Sequence, residues 1–396
     1  MSYDTDSIAK WLIDGARSVA RPQDLVAELC ERVVACGIPL WRAAVFVRTL
    51  HPNVAGRRFE WRLGEAVNVV EMPYEMLDGA AIADSPISRV CRTGLAIRCR
   101  LSVAPRASDF PALESFRSEG VTDYWVTPLF FSNGEVHVAN WATRQVGGFA
   151  EEQLCGIERL LAPFARVAEI YALRRTALNL LETYVGHRSG ERILAGAIRR
   201  GDTETIRAAI WLSDMRGFTP LSDRLLPAQL VALLNRYFDC QIPAITRRGG
   251  EILKFIGDGL LAIFPIEGSA AEVCGAAIAA AEEASAAVAA IGAATDAAVL
   301  GGVRSGIALH VGEVEYGNIG GEKRLDFTCI GPAVNLAARL EKLTGKLGRP
   351  IVASRAFARQ CPTPLLPVGE FTLVGFTQNE TVFTIPGGSL PEGGST

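Results

Sequence analysis

Ala208-Ala209-Ile210-Trp211-Leu212-Ser213-Asp214-Met215-Arg216-Gly217-Phe218-Thr219 opens with five apolar residues and delivers an acid, a glycine and a hydroxyl at their far end. The apolar run predicts a short buried strand over 208–212. Asp214 then projects from the strand's end, and the backbone amides after Gly217 can turn toward an anion. That combination suits a phosphate, although Asp214 taken singly reads more simply as a cap for the next helix or turn. A second acid, Asp258, lies in Gly257-Asp258-Gly259 between the apolar runs 251–256 and 260–264. This is a hairpin-tip pattern, and alone Asp258 is only a turn residue. Two carboxylates brought to adjacent loop ends repel unless a cation lies between them, and hard oxygen ligands select Mg²⁺ or Mn²⁺. The commoner phosphate and zinc devices, GxxxxGK[ST], GxGxxG and HExxH, are missing from the sequence.

Beyond Asp214 the chain keeps alternating helix and strand signals. Residues 227–240 carry Leu230, Leu233, Leu234, Tyr237 and Phe238 at helical spacing, the alanine-rich tract 270–300 reads as a buried helix, 303–312 and 325–330 as strands, and 333–343 as a helix. The pattern predicts an α/β (α+β) domain, a mixed sheet with helices on one side at least. Asn335 and Arg339, four apart, share a face of the last helix opposite its apolar residues. An Asn can hold a sugar oxygen, and the planar fork of an Arg can neutralise charge building on a phosphate. The pair also fits a plain solvated face.

Three segments in this order resemble class III nucleotidyl cyclases: Ser213-Asp214-Met215-Arg216-Gly217-Phe218-Thr219, Lys254-Phe255-Ile256-Gly257-Asp258-Gly259, and Phe327-Thr328 through Asn335-Leu336-Ala337-Ala338-Arg339-Leu340-Glu341. The likeness runs from about Ala208 to Pro386 and includes Gly317-Asn318-Ile319-Gly320, expected as a turn. It implies a ferredoxin-like mixed sheet with flanking helices. By the same resemblance Asp214 and Asp258 bind two Mg²⁺ or Mn²⁺ ions, the Met215 carbonyl is a further ligand, and Gly217, Phe218 and Thr219 line a triphosphate. Asn335 would orient the ribose and Arg339 the transition-state phosphate, both lent by the opposite protomer, so that the catalyst is a homodimer. In the family a Lys four before the second metal Asp and a Thr or Asp seven before the Asn read adenine, and Lys254 and Thr328 hold those places. ATP is therefore the implied substrate and 3′,5′-cyclic AMP the product. A guanylate cyclase, or a catalytically weak nucleotide-binding regulatory protein of the same fold, is the alternative. Two positions depart from the pattern. Pro332 replaces a residue that is often polar, and Val374, in a segment 373–375 expected as a strand, stands where relatives often carry a Lys that helps hold the terminal phosphates. Arg216 and Lys323 are the candidate substitutes.

The first part, 1–150, mixes helix and strand signals. Residues 24–36 are helical, 43–50 and 67–72 extended, 85–93 helical with Gly94 as the stop, and 96–101 extended. Segments 124–131 and 135–142 flank the tight turn Ser132-Asn133-Gly134. Through residues 85–100, that hairpin and the long helix that follows, it resembles a GAF-type sensory module, which implies a regulatory role and a small-molecule ligand of unknown identity. Trp125, Trp141, Phe130 and Phe131 are expected as core, and His137 and Cys99 as packed residues. From Glu151 to about Thr183 apolar residues recur at three- and four-residue steps around Pro163, which should kink the helix. Such a stripe either lies on its own domain or forms a two-stranded seam with a second copy. The division expected is thus a regulatory domain over 1–150, a helical linker over 151–207, a catalytic domain over 208–386 and a disordered tail over 387–396.

Composition agrees with globular domains: 396 residues are 49% hydrophobic and 21% charged, with a net charge of −3. That balance gives no electrostatic case for nucleic acid or an anionic membrane as partner. Nine cysteines without a CxxC pair fit reduced thiols and a cytoplasmic setting. The first ten residues carry Asp4 and Asp6 and no basic run, so no secretory signal is expected, and Glu272, Glu282, Glu283 and Asp296 break the alanine-rich tract before it can span a membrane.

Overall fold

The computed structural model describes residues 3–77, 85–102, 110–294 and 303–387, and the chain divides into two units, 1–183 and 184–396. Of the tail expected over 387–396, all but Gly387 lies outside the described residues.

Unit 1 is built on six antiparallel strands: β1 (Arg42–Arg48), β2 (Gly56–Arg62), β3 (Asn68–Met72), β4 (Ile97–Arg100), β5 (Asp123–Phe130) and β6 (Val136–Thr143). Their order is β3-β2-β1-β6-β5-β4. Around them lie α1 (Asp6–Ile13), α2 (Pro22–Ala35), α3 (Tyr74–Leu77), α4 (Pro86–Thr93), α5 (Glu114–Ser118) and α6 (Glu151–Val185). The two-residue period of a strand sends alternate side chains to opposite faces. Val45, Trp61, Trp125 and Trp141 pack with α1, α2 and α6 in one core, while Tyr124, Val126, Val138 and Ala142 pack with Val90 and Leu113 in another. Of the expected aromatic core, Trp125, Trp141 and Phe131 are buried and Phe130 is exposed; His137 is buried against Phe131. Gly134 has a φ of +85° at the β5–β6 turn, a conformation that favours glycine. Pro163 sits inside the single helix α6.

Unit 2 begins with α7 (His187–Leu194), β7 (Thr203–Arg216), α8 (Phe218–Arg224), α9 (Pro227–Thr246), β8 (Glu251–Ile256), β9 (Gly259–Pro265) and α10 (Ala270–Ala294). It continues with β10 (Arg304–Gly321), β11 (Arg324–Ile330), α11 (Pro332–Leu347), β12 (Ile351–Ser354), α12 (Arg355–Ala358), β13 (Leu366–Thr372) and β14 (Asn379–Thr384). The eight-stranded sheet runs β13-β14-β12-β10-β7-β9-β8, with β11 paired to β10. One parallel pair, β10 with β12, makes it mixed. Helices cover both faces. Ala209 and Trp211 pack with Ala244, Ile245 and the alanines of α10, while Ala208 and Ile210 pack with Ala333 and Ala337 of α11.

Besides exposed Phe130, four expectations are corrected. The strand expected over 208–212 is β7, which runs on through Asp214 to Arg216, so Asp214 lies within the strand. Residues 317–320 form no turn. They lie in β10 opposite β11, and Gly317, at a φ of +152°, leaves room for the Asp202 carbonyl, which a Cβ would strike. Residues 373–375 are a turn beyond β13. By length and composition α10 is apolar enough to cross a membrane, Glu272, Glu282 and Glu283 notwithstanding, while Asp296 lies outside the described residues; yet Cys274, Ala277, Ile278, Ala281 and Ala284 are fully buried against the sheet. The polar connector contains a helix held by a buried carboxylate: Ser189 Oγ donates to Glu251 at 2.6 Å and the Tyr316 hydroxyl donates to it at 2.8 Å.

Candidate active site

Asp214 and Asp258 meet across the β7–β9 pairing. Ser213 is opposite Leu260 in the register, so Asp214 falls beside the turn that Gly257 and Asp258 make between β8 and β9. Gly259 fits because it has no side chain: a Cβ there would sit 2.7 Å from the Ser213 carbonyl and 3.4 Å from Asp214 Oδ1. Burial first, then the nearby Asp258 and Glu341 carboxylates, push the Asp214 carboxyl up to about 7. Two acids forced together in this way are a hard-oxygen donor set that a divalent cation would relieve. Among the described residues no three His, Cys, Asp or Glu side chains gather into a closed cage, so the pair suits a cation that completes its shell with water and substrate oxygens.

Below the acids, Ser213 Oγ donates to Gln241 at 2.6 Å, and buried Tyr237 lies close enough that burial, with Asp214 as a second cause, raises its hydroxyl. Met215 is buried opposite Ser305. Gly217 takes a φ of +74° and caps α8, which starts at Phe218; Thr219 is exposed in its first turn.

Arg216 is not free to serve as a substitute phosphate cation. Its guanidinium donates to the Glu341 carboxylate, to Thr344 and, at 2.8 Å, to the Glu341 carbonyl. Gly306 makes this possible, because a Cβ there would overlap both Arg216 and Thr344. Burial raises the Glu341 carboxyl while Arg216 opposes the shift. Val374 is exposed at its turn. Lys323 precedes β11 and is exposed.

On α11 Asn335 is exposed and Arg339 half-buried, on the side away from buried Leu336, Ala337 and Leu340. Neither side chain bonds to the acid pair of its own chain, so within one copy the structure brings together Asp214 and Asp258 but does not add Asn335 and Arg339. Lys254 and Thr328 come near each other through β8 and β11: Lys254 Nζ donates to Asp326 at 2.9 Å, and Asp326 is two residues from Thr328 on the same face of β11. Thr328 is buried and its Oγ1 has no hydrogen-bond partner. Asp326, Glu341 and the engagement of Arg216 were missed in the sequence. An acid two residues before Thr328 on a strand was a readable signal for Asp326; nothing local marked the Arg216–Glu341 pairing, 125 residues apart.

Residues 202–359 match the adenylate and guanylate cyclase catalytic domain family. This stretch is a class III nucleotidyl cyclase catalytic domain. The chain is 34% identical over 167 residues to an adenylate cyclase of Anabaena cylindrica, covering 42% of this chain and 33% of that protein. It is 31% identical over 153 residues to adenylate cyclase 1 of Rhizobium meliloti, covering 38% and 22%. The aligned part thus spans a third or less of the length of these relatives. A bacterial light-regulated adenylyl cyclase superposes with a TM-score of 0.50 at 21% identity, covering 67% of this chain and 87% of that one, a likeness of fold.

Proposed function

We propose that the chain is an adenylate cyclase that makes 3′,5′-cyclic AMP and pyrophosphate from ATP as a homodimer, with unit 1 as its GAF-like regulatory half. The meeting of Asp214 and Asp258 at one strand-and-turn junction carries this reading. With the Met215 carbonyl these acids would hold two Mg²⁺ or Mn²⁺ ions, which when bound supply Lewis-acid stabilisation and a more acidic ribose hydroxyl. The turn Gly217-Phe218-Thr219 offers its amides to the triphosphate. The 3′-oxygen forms its bond to the α-phosphorus as the bond to pyrophosphate breaks.

Asn335 and Arg339 complete the site from the second copy, Asn335 holding the ribose and Arg339 neutralising charge on the phosphorus centre. Asn335 is exposed and Arg339 half-buried, and among the described residues neither bonds to Asp214 or Asp258 of its own chain, which supports that assignment. On α6, Ile170, Leu173, Ala177 and Leu180 are exposed at alternating three- and four-residue steps, which supports a two-stranded seam between copies. Lys254 donates to a ring nitrogen of adenine and the Thr328 hydroxyl accepts from its exocyclic amine, whereas guanine presents the opposite pattern there. All nine cysteines are unbridged, which fits a reducing cytoplasm.

Purified chain supplied with ATP or GTP and with Mg²⁺ or Mn²⁺ tests the proposal. Cyclic AMP formation exceeding cyclic GMP formation is the expected result. Cyclic GMP as the main product would transfer the reading to a guanylate cyclase, and nucleotide binding without either product would reduce it to a regulatory protein of cyclase fold.

A further inference from the structure

Between α2, the β1–β2 face of the sheet and α6, unit 1 encloses a cavity of about 380 Å³, within the range of small-molecule sites. Val26, Val45, Phe59 and Phe164 form its apolar floor. Five arginines line it, Arg21, Arg48, Arg57, Arg174 and Arg175, and no aspartate or glutamate does. Two of the five are answered from outside the lining: Arg21 forks onto Asp24 at 2.8 and 2.9 Å, and Arg57 pairs with Glu71. Arg174 and Arg175 have no carboxylate partner among the described residues. Arg175 is half-buried, and its Nε is closed off from solvent without a hydrogen-bond partner. Arg175 lines an apolar-floored cavity without a carboxylate to neutralise it, and an anion in that space would pair with the guanidinium. The first turn of α2, with Arg21, Pro22 and Gln23, lines the same space, and no side chain caps that helix. Its positive end favours the same sign of ligand.

We propose that this cavity binds a small anionic amphiphile, a compact apolar body ending in one carboxylate that Arg175 receives. The body lies on Val26, Phe59 and Phe164. The stripe of α6 that faces it, Ala168, Tyr171, Ala172, Arg175 and Leu178, is a different one from the exposed Ile170, Leu173, Ala177 and Leu180. An occupant therefore braces α6 against the sheet and leaves its other face free. The inference goes beyond the cyclase reading and stands without it.

The test is titration calorimetry on the full chain with decanoate and 4-phenylbutyrate, each below its aggregation limit. Decan-1-ol and decyltrimethylammonium serve as neutral and cationic counterparts. One carboxylate per chain is expected to bind, about tenfold more tightly than the alcohol, with no binding of the cation. Arg175→Gln should weaken the acid by about tenfold and leave the alcohol unchanged. Ala172→Phe, which fills the cavity, should abolish binding of both. Whichever acid binds better gives the shape of the body. Equal binding of acid, alcohol and cation, acid binding unmoved by Arg175→Gln, or no binding of either acid at millimolar concentration overturns the proposal. Arg175→Gln alters only the wall of the cavity, so it decides the matter even if Ala172→Phe disturbs folding.

Discussion

The Arg216 guanidinium and the Glu341 carboxylate pair two residues beyond Asp214 and two beyond Arg339, joining the strand that carries one candidate metal ligand to the helix that carries the candidate transition-state arginine. The pairing ties the end of β7 to the middle of α11. If Arg339 serves the site of the other copy, its helix is registered against the acids of its own copy. Replacing Glu341 leaves Arg216 half-buried with only a carbonyl and a hydroxyl to satisfy it. Such a loss costs about 2 kcal/mol when discounted for partial exposure, or about 4–8 °C in a unit of this size. Glu341→Ala should lower the unfolding temperature by that amount and kcat with it. Gly306→Ala, which crowds the guanidinium out of place, should reproduce both effects. Calorimetry and turnover on the two variants check this; an unchanged kcat in both would confine the pair to a role in stability.

Composite sites predict complementation. Asp214→Ala and Arg339→Ala chains, each inactive alone, should regain activity on mixing, since a mixed dimer rebuilds one site from two undamaged halves. With random exchange about a quarter of wild-type activity is expected, because half the dimers are mixed and each has one intact site of two. A failure to recover, in dimers shown by mass to have exchanged, would argue that each chain builds its site alone.

Much of this was readable in the residues before the fold was known, for identifiable reasons. The β8–β9 hairpin was legible because two apolar runs flank Gly257-Asp258-Gly259, and the placing of Asn335 and Arg339 on one face followed from the helical period alone. The second half of β10 and the first of β7 were not legible. Thr203 to Arg207 is polar and Glu313 to Gly321 is glycine-rich, because that end of the ladder buries only alternate residues such as Val314 and Tyr316. Strand β2 was hidden in the same way: its arginines and Glu60 pair with their neighbours, so Gly56 to Arg62 carries little apolar signal. At the site, the acids announced themselves by motif, whereas Asp326 and Glu341 act through partners that only the folded chain supplies.

Base selection offers a sharper test than a simple loss of activity. Lys254→Glu with Thr328→Cys should lower kcat/KM for ATP by about tenfold or more, the worth of one or two hydrogen bonds, and raise the GTP share. The Lys254–Asp326 pair adds a condition. A carboxylate introduced at 254 would face Asp326 across the space now spanned by a 2.9 Å contact, and like charges at that range repel. The double variant should therefore be poor with both nucleotides until Asp326→Asn is added, when GTP turnover should rise further. An ATP preference that survives all three changes would remove Lys254 and Thr328 from base reading.

His310 gives the catalytic unit an acid sensitivity of predictable sign. It is buried on β10, with Nδ1 2.8 Å from Ser354 Oγ, and burial lowers its pKa to about 4 from the ordinary 6.5 of a free imidazole. Between those values the unfolded chain holds a proton that the folded chain does not, so stability rises with pH across the window and is complete above about 6.5. It is lost progressively as the pH falls toward 4, by on the order of 3 kcal/mol from this group. His310→Gln keeps a polar partner for Ser354 and removes the titration. Thermal unfolding of the unit containing residues 184–396, followed from pH 7 to pH 4, should show a shallower fall in the variant. Burial also lowers His137 in the first unit, so that transition should keep its slope in the same experiment. Equal slopes for the second unit in wild type and variant would mean that His310 takes up its proton without unfolding.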